Sequence, residues 1–419
     1  MANSDLPHEL LLKLASQVIQ DPGIPVPNPT VSAWQEPAHP CATIQSKDLP
    51  RYTDCAIIGS GITGCSAAKT ILESDSRGSI RRSPCLKLVS LTTGATSRNG
   101  GFLLSHAPQF YERFAERGYH LKSSKGALVV KSKVFWPYRL VTNIIQRLLE
   151  RHPDRFSVET MTAVTSITIS SDAVTAYPYV LTTPRGTVRA AKIFHCVNGF
   201  TGHLLPKLRG PLFPCRLSMS TQKPGPQWGN VPYSWLFHSK QSWDPNTTLV
   251  EQGLYWMQQN AQTGDLFVGG DLQRLDDFLS PDDSIISADA VGNLTNLLPK
   301  KIFTEGWTNE ITNTTLSSTT AIQRVWSGII GMTADQLPIV GSVPSSVSDR
   351  KVEGGEWVAA GFNGYGMSQA WLSGQAIALM ALGQPKPDWL PEVYLSSEKR
   401  LTDKARMGDE AALASFFNR

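Results

Sequence analysis

Apolar and polar positions repeat at different periods along this chain, and each period predicts a different element. HELLLKLASQVI, residues 8–19, spaces its apolar residues at helical intervals, so a short amphipathic helix is expected there. The proline-rich PGIPVPNPTVSAWQEP that follows excludes regular structure, and residues 1–50 read as an extension wrapped over a surface. DCAIIGSGITGCSAAKTILE, residues 54–73, is a short apolar run, a glycine turn and a small-residue helix; LKLVSL at 86–91 is a second apolar strand. Strand, helix and strand with a right-handed crossover make a βαβ unit. From Ser157 to Thr187 the period falls to two, in SVETMTAVTSITI and YPYVLTTPRGTVRA, which predicts antiparallel strands. AKIFHCVNG is another buried strand ending in a turn, and residues 211–325 hold aromatic strands such as GLYWMQQ and GDLFVGG. Finally EWVAAGFNGYGMSQAWLSGQAIALMALG predicts a strand, a glycine turn and a long helix.

The fold class expected is α/β, a Rossmann-like βαβ domain assembled from both ends of the chain, with an inserted mixed β-sheet domain. The expected divisions are an extension over 1–50, the nucleotide domain over 51–210 and 320–402, and the inserted domain mainly over 211–319. Part of the inserted domain is expected within 103–190, and 403–419 reads as a tail. The charge balance, 39 basic against 35 acidic residues, is spread evenly apart from Arg81 and Arg82, so nucleic acid is not suggested as a partner. Six cysteines without a CxxC pair indicate neither a zinc site nor a disulfide framework. No run approaches ~20 apolar residues and no secretory leader is recognisable, so a soluble cytoplasmic protein without membrane association is expected. In that setting the NxT triplets at Asn246, Asn293 and Asn313 carry no meaning.

In the first glycine turn, Gly59 permits the sharp exit from the strand, Gly61 lets backbone approach a diphosphate and Gly64 lets helix pack on sheet. The helix starting near Ile62 offers free N–H groups and roughly half an elementary charge of dipole to an anion. Further glycine turns occur in GATSRNGG (94–101), WSGIIGMTADQLPIVG (326–341) and GFNGYGMSQA (361–370).

These motifs, with WPYRLV at 136, NGFTGHLLPKL at 198 and LPEVYLSSEKRL at 390, resemble the D-amino-acid-oxidase-like FAD-dependent oxidoreductases. That group includes glycine and sarcosine oxidases, and the likeness is nearest the gamma-glutamylputrescine oxidase-like branch. The resemblance implies noncovalent FAD, held at its diphosphate by Gly59, Ser60, Gly61, Ile62, Thr63 and Gly64. Ser97, Arg98, Asn99, Gly100 and Gly101 match the turn beside the flavin, and Val164 matches the backbone that meets the adenine. Asn198 and Gly199 end the strand closing over the cofactor, while Trp326, Gly328 and Gly331 shape the flavin edge. Gly361, Phe362, Asn363, Gly364, Tyr365, Gly366 and Met367 pass close to the ring. The implied activity is oxidation of a C–N bond in an amine or amino acid, with electrons passed to molecular oxygen.

Departures from the family pattern are also legible. Thr92 stands where the ribose-binding Glu belongs, which costs about 1.5 to 3 kcal/mol if the ribose is left unpaired. The region between FLLSHAPQFYERFAERGYHLK and KGALVVKSKVFWPYRL is short, SDSRGSIRRSPC is inserted before the second strand, and Phe102 replaces the frequent His after the GG pair. His106 lies nearby and reads as a solvated turn residue. These departures keep open a degenerate, non-catalytic relative that retains the fold; a nicotinamide dehydrogenase is a further alternative. For catalysis Tyr255 and Trp256 are either aromatic walls or plain sheet core, and Tyr365 is the better placed. Arg324 either clamps a substrate carboxylate or forms a surface salt bridge. Asp335, near Pro338, is expected to tie its loop together.

Overall fold

The computed structural model describes residues 7–74, 94–103, 133–171, 176–225, 228–230, 234–238, 240–303, 308–309, 314–315 and 322–417. The expected strand LKLVSL, Thr92, the insertion beyond Ser74 and His106 lie outside them.

The amphipathic repeat at the front forms α1 (His8–Ile19), which buries Leu14 and Val18. The first apolar run forms β1 (Tyr52–Ile58), and the small residues after the glycine turn form α2 (Ile62–Ser74). β1 is buried on both faces. Cys55 and Ile57 pack toward α2, and Ala56 and Ile58 toward the opposite layer, which explains a continuous apolar run instead of an alternating one. α3 (Pro137–Arg151) starts on a proline at its first turn and buries Val141, Ile145 and Leu148, a one-face spacing, against α2, while Tyr138 packs with Trp34 and Met219.

Short strands β2 (Phe102–Leu103) and β3 (Lys133–Val134) pair with each other. β4 (Ser166–Ile169), β5 (Tyr179–Thr183) and β6 (Gly186–His195) follow. They join β1, β15 (Ile339–Ser342) and β16 (Glu356–Ala360) in one six-stranded sheet of order β15-β16-β6-β5-β4, with β1 also on β6. β6 runs parallel to β1 and β16, and antiparallel to β5. Residues 166–183, within the span 103–190 where part of the inserted domain is expected, extend this nucleotide-type sheet, because β5 returns from β4 as a hairpin and pairs along β6.

The second sheet contains β7 (Leu212–Gln222), β8 (Ser234–His238), β9 (Ser242–Asp244), β10 (Leu249–Gln259), β11 (Leu266–Arg274) and β14 (Ile322–Thr333). Its order is β14-β7-β11-β10-β8, with β9 also on β10, and every described pairing is antiparallel, where a mixed sheet was expected. β14 pairs with β7 from Ile322 to Thr333, so these residues join the second sheet, within the span 320–402 expected for the nucleotide domain. β12 (Thr308–Asn309) and β13 (Thr314–Thr315) form a separate ribbon.

The long helix Gly366–Ala381 crosses α2 at small residues: Ser66 Oγ donates to the Trp371 carbonyl at 2.6 Å, and a Cβ on Gly374 would fall on the Thr63 carbonyl. Asp335 accepts both Arg400 (2.9 and 3.0 Å) and Arg406 (2.8 Å), and the Leu337 N–H. It thus ties its loop as expected, and binds it to the C-terminal segment. The helix Asp409–Phe417 then packs beside α1, and Met407, Ala412 and Leu413 from the segment expected as a tail join the apolar cluster of Leu14 and Val18. Between β6 and β16, Glu356 is held by Arg350 (2.7 and 2.8 Å) and by His195 Nε2 (2.9 Å), all three largely buried.

Candidate functional site

The two sheets and their connecting turns enclose a cavity of about 700 Å³, within the range of small-molecule sites. Gly59, Ser60, Gly61, Ile62 and Thr63 line it. Gly59 adopts φ +109°, which the sharp exit from β1 requires. Gly64 lies beneath the turn: a Cβ there would land on the Gly59 carbonyl oxygen, 3.0 Å from its carbon. A Cβ on Gly61 would meet Thr96 Oγ1 at 2.6 Å, and the same hydroxyl accepts the Ile62 N–H at 3.0 Å. The second glycine turn therefore leans directly on the N-terminus of α2. Sequence reading missed Thr96, although it stands inside GATSRNGG.

In that second turn Arg98, Asn99 and Gly100 line the cavity, while Ser97 and Gly101 lie behind it. Asn99 closes the turn on itself, donating to Ala95 and Thr96 carbonyls (2.9 and 3.0 Å) and accepting the Gly101 N–H at 2.7 Å. The Arg98 guanidinium is engaged by the protein itself. It bonds Thr30 Oγ1 at 2.9 Å, the carbonyls of Thr30 and Ser327, and pairs with Asp283 at 3.4 Å. Burial lowers the Arg98 pKa, against the pull of Asp283; burial raises that of Asp283, against the pull of Arg98.

Two asparagines with left-handed backbones, Asn198 (φ 48°) and Asn363 (φ 52°), join three chain segments. Asn198 Oδ1 accepts the Gly361 N–H at 2.9 Å and the Phe362 N–H at 3.4 Å. The Asn363 N–H donates to the Gly331 carbonyl at 2.9 Å, and its Oδ1 accepts the Thr333 N–H at 2.8 Å. Its Nδ2 donates to the Gly361 carbonyl and Thr333 Oγ1 (2.7 and 3.0 Å). Asn198, Phe362, Asn363, Gly364, Tyr365, Gly366 and Met367 line the cavity, and the helix starting at Gly366 points its N-terminus along it. Gly361 and Gly199 are structural neighbours behind the lining; a Cβ on Gly199 would stand 3.0 Å from the Ile330 carbonyl.

Leu217, Met219, Leu254, Trp256, Gly328 and Ile330 form the opposite wall, with His238 and a Gln241–Gln252 hydrogen bond of 3.1 Å at its polar end. A bulge in β10 between Glu251 and Tyr255, with Gly253 at φ +75°, sets which residues face inward. Trp256 faces the cavity. Tyr255, expected as a catalytic wall, faces the other way into a cluster with Met257, Leu266 and Leu294. Its hydroxyl donates to Glu251 Oε1 and accepts from Asn293 Nδ2 at 3.2 Å.

Arg324 lies outside the cavity lining and pairs with Glu36 at 2.7 Å, the surface ion pair that was the alternative to a substrate clamp. Trp326 is fully buried behind the wall and donates its Nε1–H to the Arg98 carbonyl at 3.1 Å. Val164 packs with Ala56, Ile58 and Ile167, and does not line the cavity. Tyr255→Phe is expected to lower stability by about 1 kcal/mol through its lost hydrogen bonds and to leave bound-cofactor absorbance unchanged. Arg324→Ala should cost less than about 1 kcal/mol. Urea midpoints and visible spectra check both; a bleached Tyr255→Phe protein would restore that residue to the site.

Among the described residues no group of three or more His, Cys, Asp or Glu is arranged to hold a metal ion, and no helix is long and apolar enough to cross a membrane.

Residues 109–380 match the family model described as FAD dependent oxidoreductase. Similar solved structures include glycine oxidase from Geobacillus kaustophilus (TM-score 0.55, 15% identity, covering 83% of this chain and 99% of that one). L-amino acid deaminase from Proteus vulgaris, with its specific insertion deleted, gives 0.54 at 14% identity, covering 86% and 98%. L-proline dehydrogenase from P. horikoshii gives 0.53 at 13% identity, covering 83% and 98%. At these identities the structural likeness speaks for the fold. No curated protein matches the chain.

Proposed function

Because the chain belongs to the FAD-dependent oxidoreductase family, we propose that it oxidises a C–N bond of a small amine or amino acid in this cavity, passing the electrons to molecular oxygen. The observation that carries the reading is the convergence of three distant glycine turns, at 59–63, 94–100 and 361–367, on one cavity. The residues fit the cofactor: side chains on Gly59 or Gly61 would collide with neighbouring atoms, and what remains is bare backbone at a helix N-terminus, suited to a diphosphate. When bound, FAD accepts a hydride equivalent and returns electrons to an acceptor.

The chain's own groups then bind, orient and dry the reacting centre. The Ile62 N–H is taken by Thr96 Oγ1, and the next N–H groups of α2, which have no acceptor in a preceding turn, suit the diphosphate. The helix Gly366–Ala381 brings a second positive dipole end, which favours negative charge accumulating beside it. Trp256, Met219, Leu254 and Ile330 supply an apolar wall that excludes water while a neutral amine lone pair and its neighbouring C–H are presented. Tyr365, 41% exposed, stands at the rim of the same turn. A noncovalent link is consistent with Phe102 following the GG pair.

The purified protein is expected to show flavin bands near about 450 nm that are released by denaturation, and to bleach anaerobically with an oxidisable amine. Hydrogen peroxide release in air identifies the acceptor. A colourless preparation that refuses added FAD would leave only the scaffold reading standing; FAD without bleaching by any amine or amino acid would remove the substrate class.

A further inference from the structure

The segment between α1 and β1 does more than cover an outer surface. Pro25, Val26 and Pro29 line the cavity. Immediately after them Thr30 is clamped: its N–H and its hydroxyl both reach the Asp283 carbonyl at 2.9 Å, and Oγ1 accepts the Ser327 N–H and Arg98 Nη1, each at 2.9 Å. The Asp283 carboxylate in turn pairs with Arg98, both side chains buried. Upstream, Asp21 accepts Arg209 at 2.6 Å and His203 at 3.1 Å. Downstream, Trp34 donates to the Asn99 carbonyl at 2.6 Å and stacks on Phe267 with ring centroids 4.0 Å apart. The stretch is thus pinned at both ends, and its prolines remove backbone freedom between the pins.

We propose that this segment is a specificity-determining wall: Val26, which shares the lining with Pro25 and Pro29, sets how bulky an amine the cavity admits, and the Thr30–Arg98–Asp283 latch holds the wall at that distance. An apolar wall carried by a loosely attached loop would yield to a larger ligand and discriminate weakly. Here yielding means breaking hydrogen bonds to a buried guanidinium, each worth about 1.5–3 kcal/mol, so the size limit is steep. Arg98 and Thr30 act as positioning residues. The inference rests on the amine-oxidase reading of the cavity, and its test is separable from that reading.

Full-length holoenzyme carrying Val26→Phe, Val26→Ala or Thr30→Val is compared with wild type on unbranched primary amines from ethylamine to octylamine, with flavin content and melting temperature recorded for each. Val26→Phe is expected to increase the kcat/KM preference for the short over the long amines about tenfold, mainly through KM, and Val26→Ala to decrease it. Thr30→Val should flatten the preference while flavin content holds. Calorimetric titration with benzylamine gives a second readout, expected about tenfold weaker in Val26→Phe. Equal changes for all amines, no change, lost flavin in the Val26 variants, or equal benzylamine affinity overturn the wall. If wild type holds FAD and oxidises none of these amines, the proposed reaction fails for this class, while benzylamine titration still decides the wall; no heat in either protein counts against it.

Discussion

Replacing Gly64 by alanine is expected to strip the protein of its flavin and to destabilise it by about 3 kcal/mol, the upper end for overpacking. The reason is the identity of the neighbour. A methyl at this position meets the carbonyl of Gly59, and backbone cannot rotate out of the way as a side-chain tip can. Relief requires lifting α2 off β1, yet α2 is fastened by Ile62 N–H to Thr96, by Ser66 to the Trp371 carbonyl and by the close crossing at Gly374. Lifting it moves the diphosphate cradle and the helix Gly366–Ala381 together, so cofactor retention and stability fall in the same variant. The 450-to-280 nm absorbance ratio and the urea midpoint measure the two effects. A yellow Gly64→Ala protein with the wild-type midpoint would show that the turn has slack that this packing denies.

Glu356→Gln is expected to lose about 3–5 kcal/mol at neutral pH, the cost of breaking a buried charge pair from one side. Glu356 satisfies Arg350 through both oxygens and His195 through one, and Arg350 also reaches the Leu204 carbonyl. An amide removes the charge and replaces an acceptor with a donor facing a guanidinium. Burial alone raises the Glu356 pKa, but the hydrogen bonds and charges of Arg350 and His195 outweigh it and bring the value from 4.5 to about 2. A carboxyl depressed in the folded state contributes its full stability above about 4.5, and that contribution drains away as the pH falls toward 2. The wild-type advantage over Glu356→Gln should therefore shrink across that interval. Paired denaturant titrations between neutral pH and pH 3 test this; an advantage that stays level on acidification would detach it from the carboxylate.

Much of the nucleotide-type half was legible because its signals are local. An apolar run buried on both faces, a turn that tolerates only glycine, and a small-residue helix are adjacent in sequence, and β1, Gly59 and α2 realise them in that order. The strand, turn and helix from Glu356 to Ala381 were readable for the same reason. What escaped is non-local or hangs on a single residue. Tyr255 and Trp256 are equally aromatic, and only the bulge at Gly253 decides which of them faces inward. Arg98 sits in a motif that suggests a cofactor contact, but its guanidinium is engaged by Thr30 and Ser327, distant in sequence. Prolines in 25–29 announce irregular backbone, and nothing in them says that the irregular backbone lines a cavity. The partnership of β14 with β7 is between segments about a hundred residues apart and is visible only once the sheet is assembled.

The pair Asn198 and Asn363 has a consequence for how the protein opens. Parting two halves of a protein like jaws needs a few residues whose φ and ψ rotate freely between them. Where β14 ends and the 361–367 turn begins, the amides of Gly361, Phe362 and Thr333 and the carbonyls of Gly331 and Gly361 are all engaged through these two asparagines. Opening the protein at that junction would first have to break these hydrogen bonds, so the segments that meet there resist being parted.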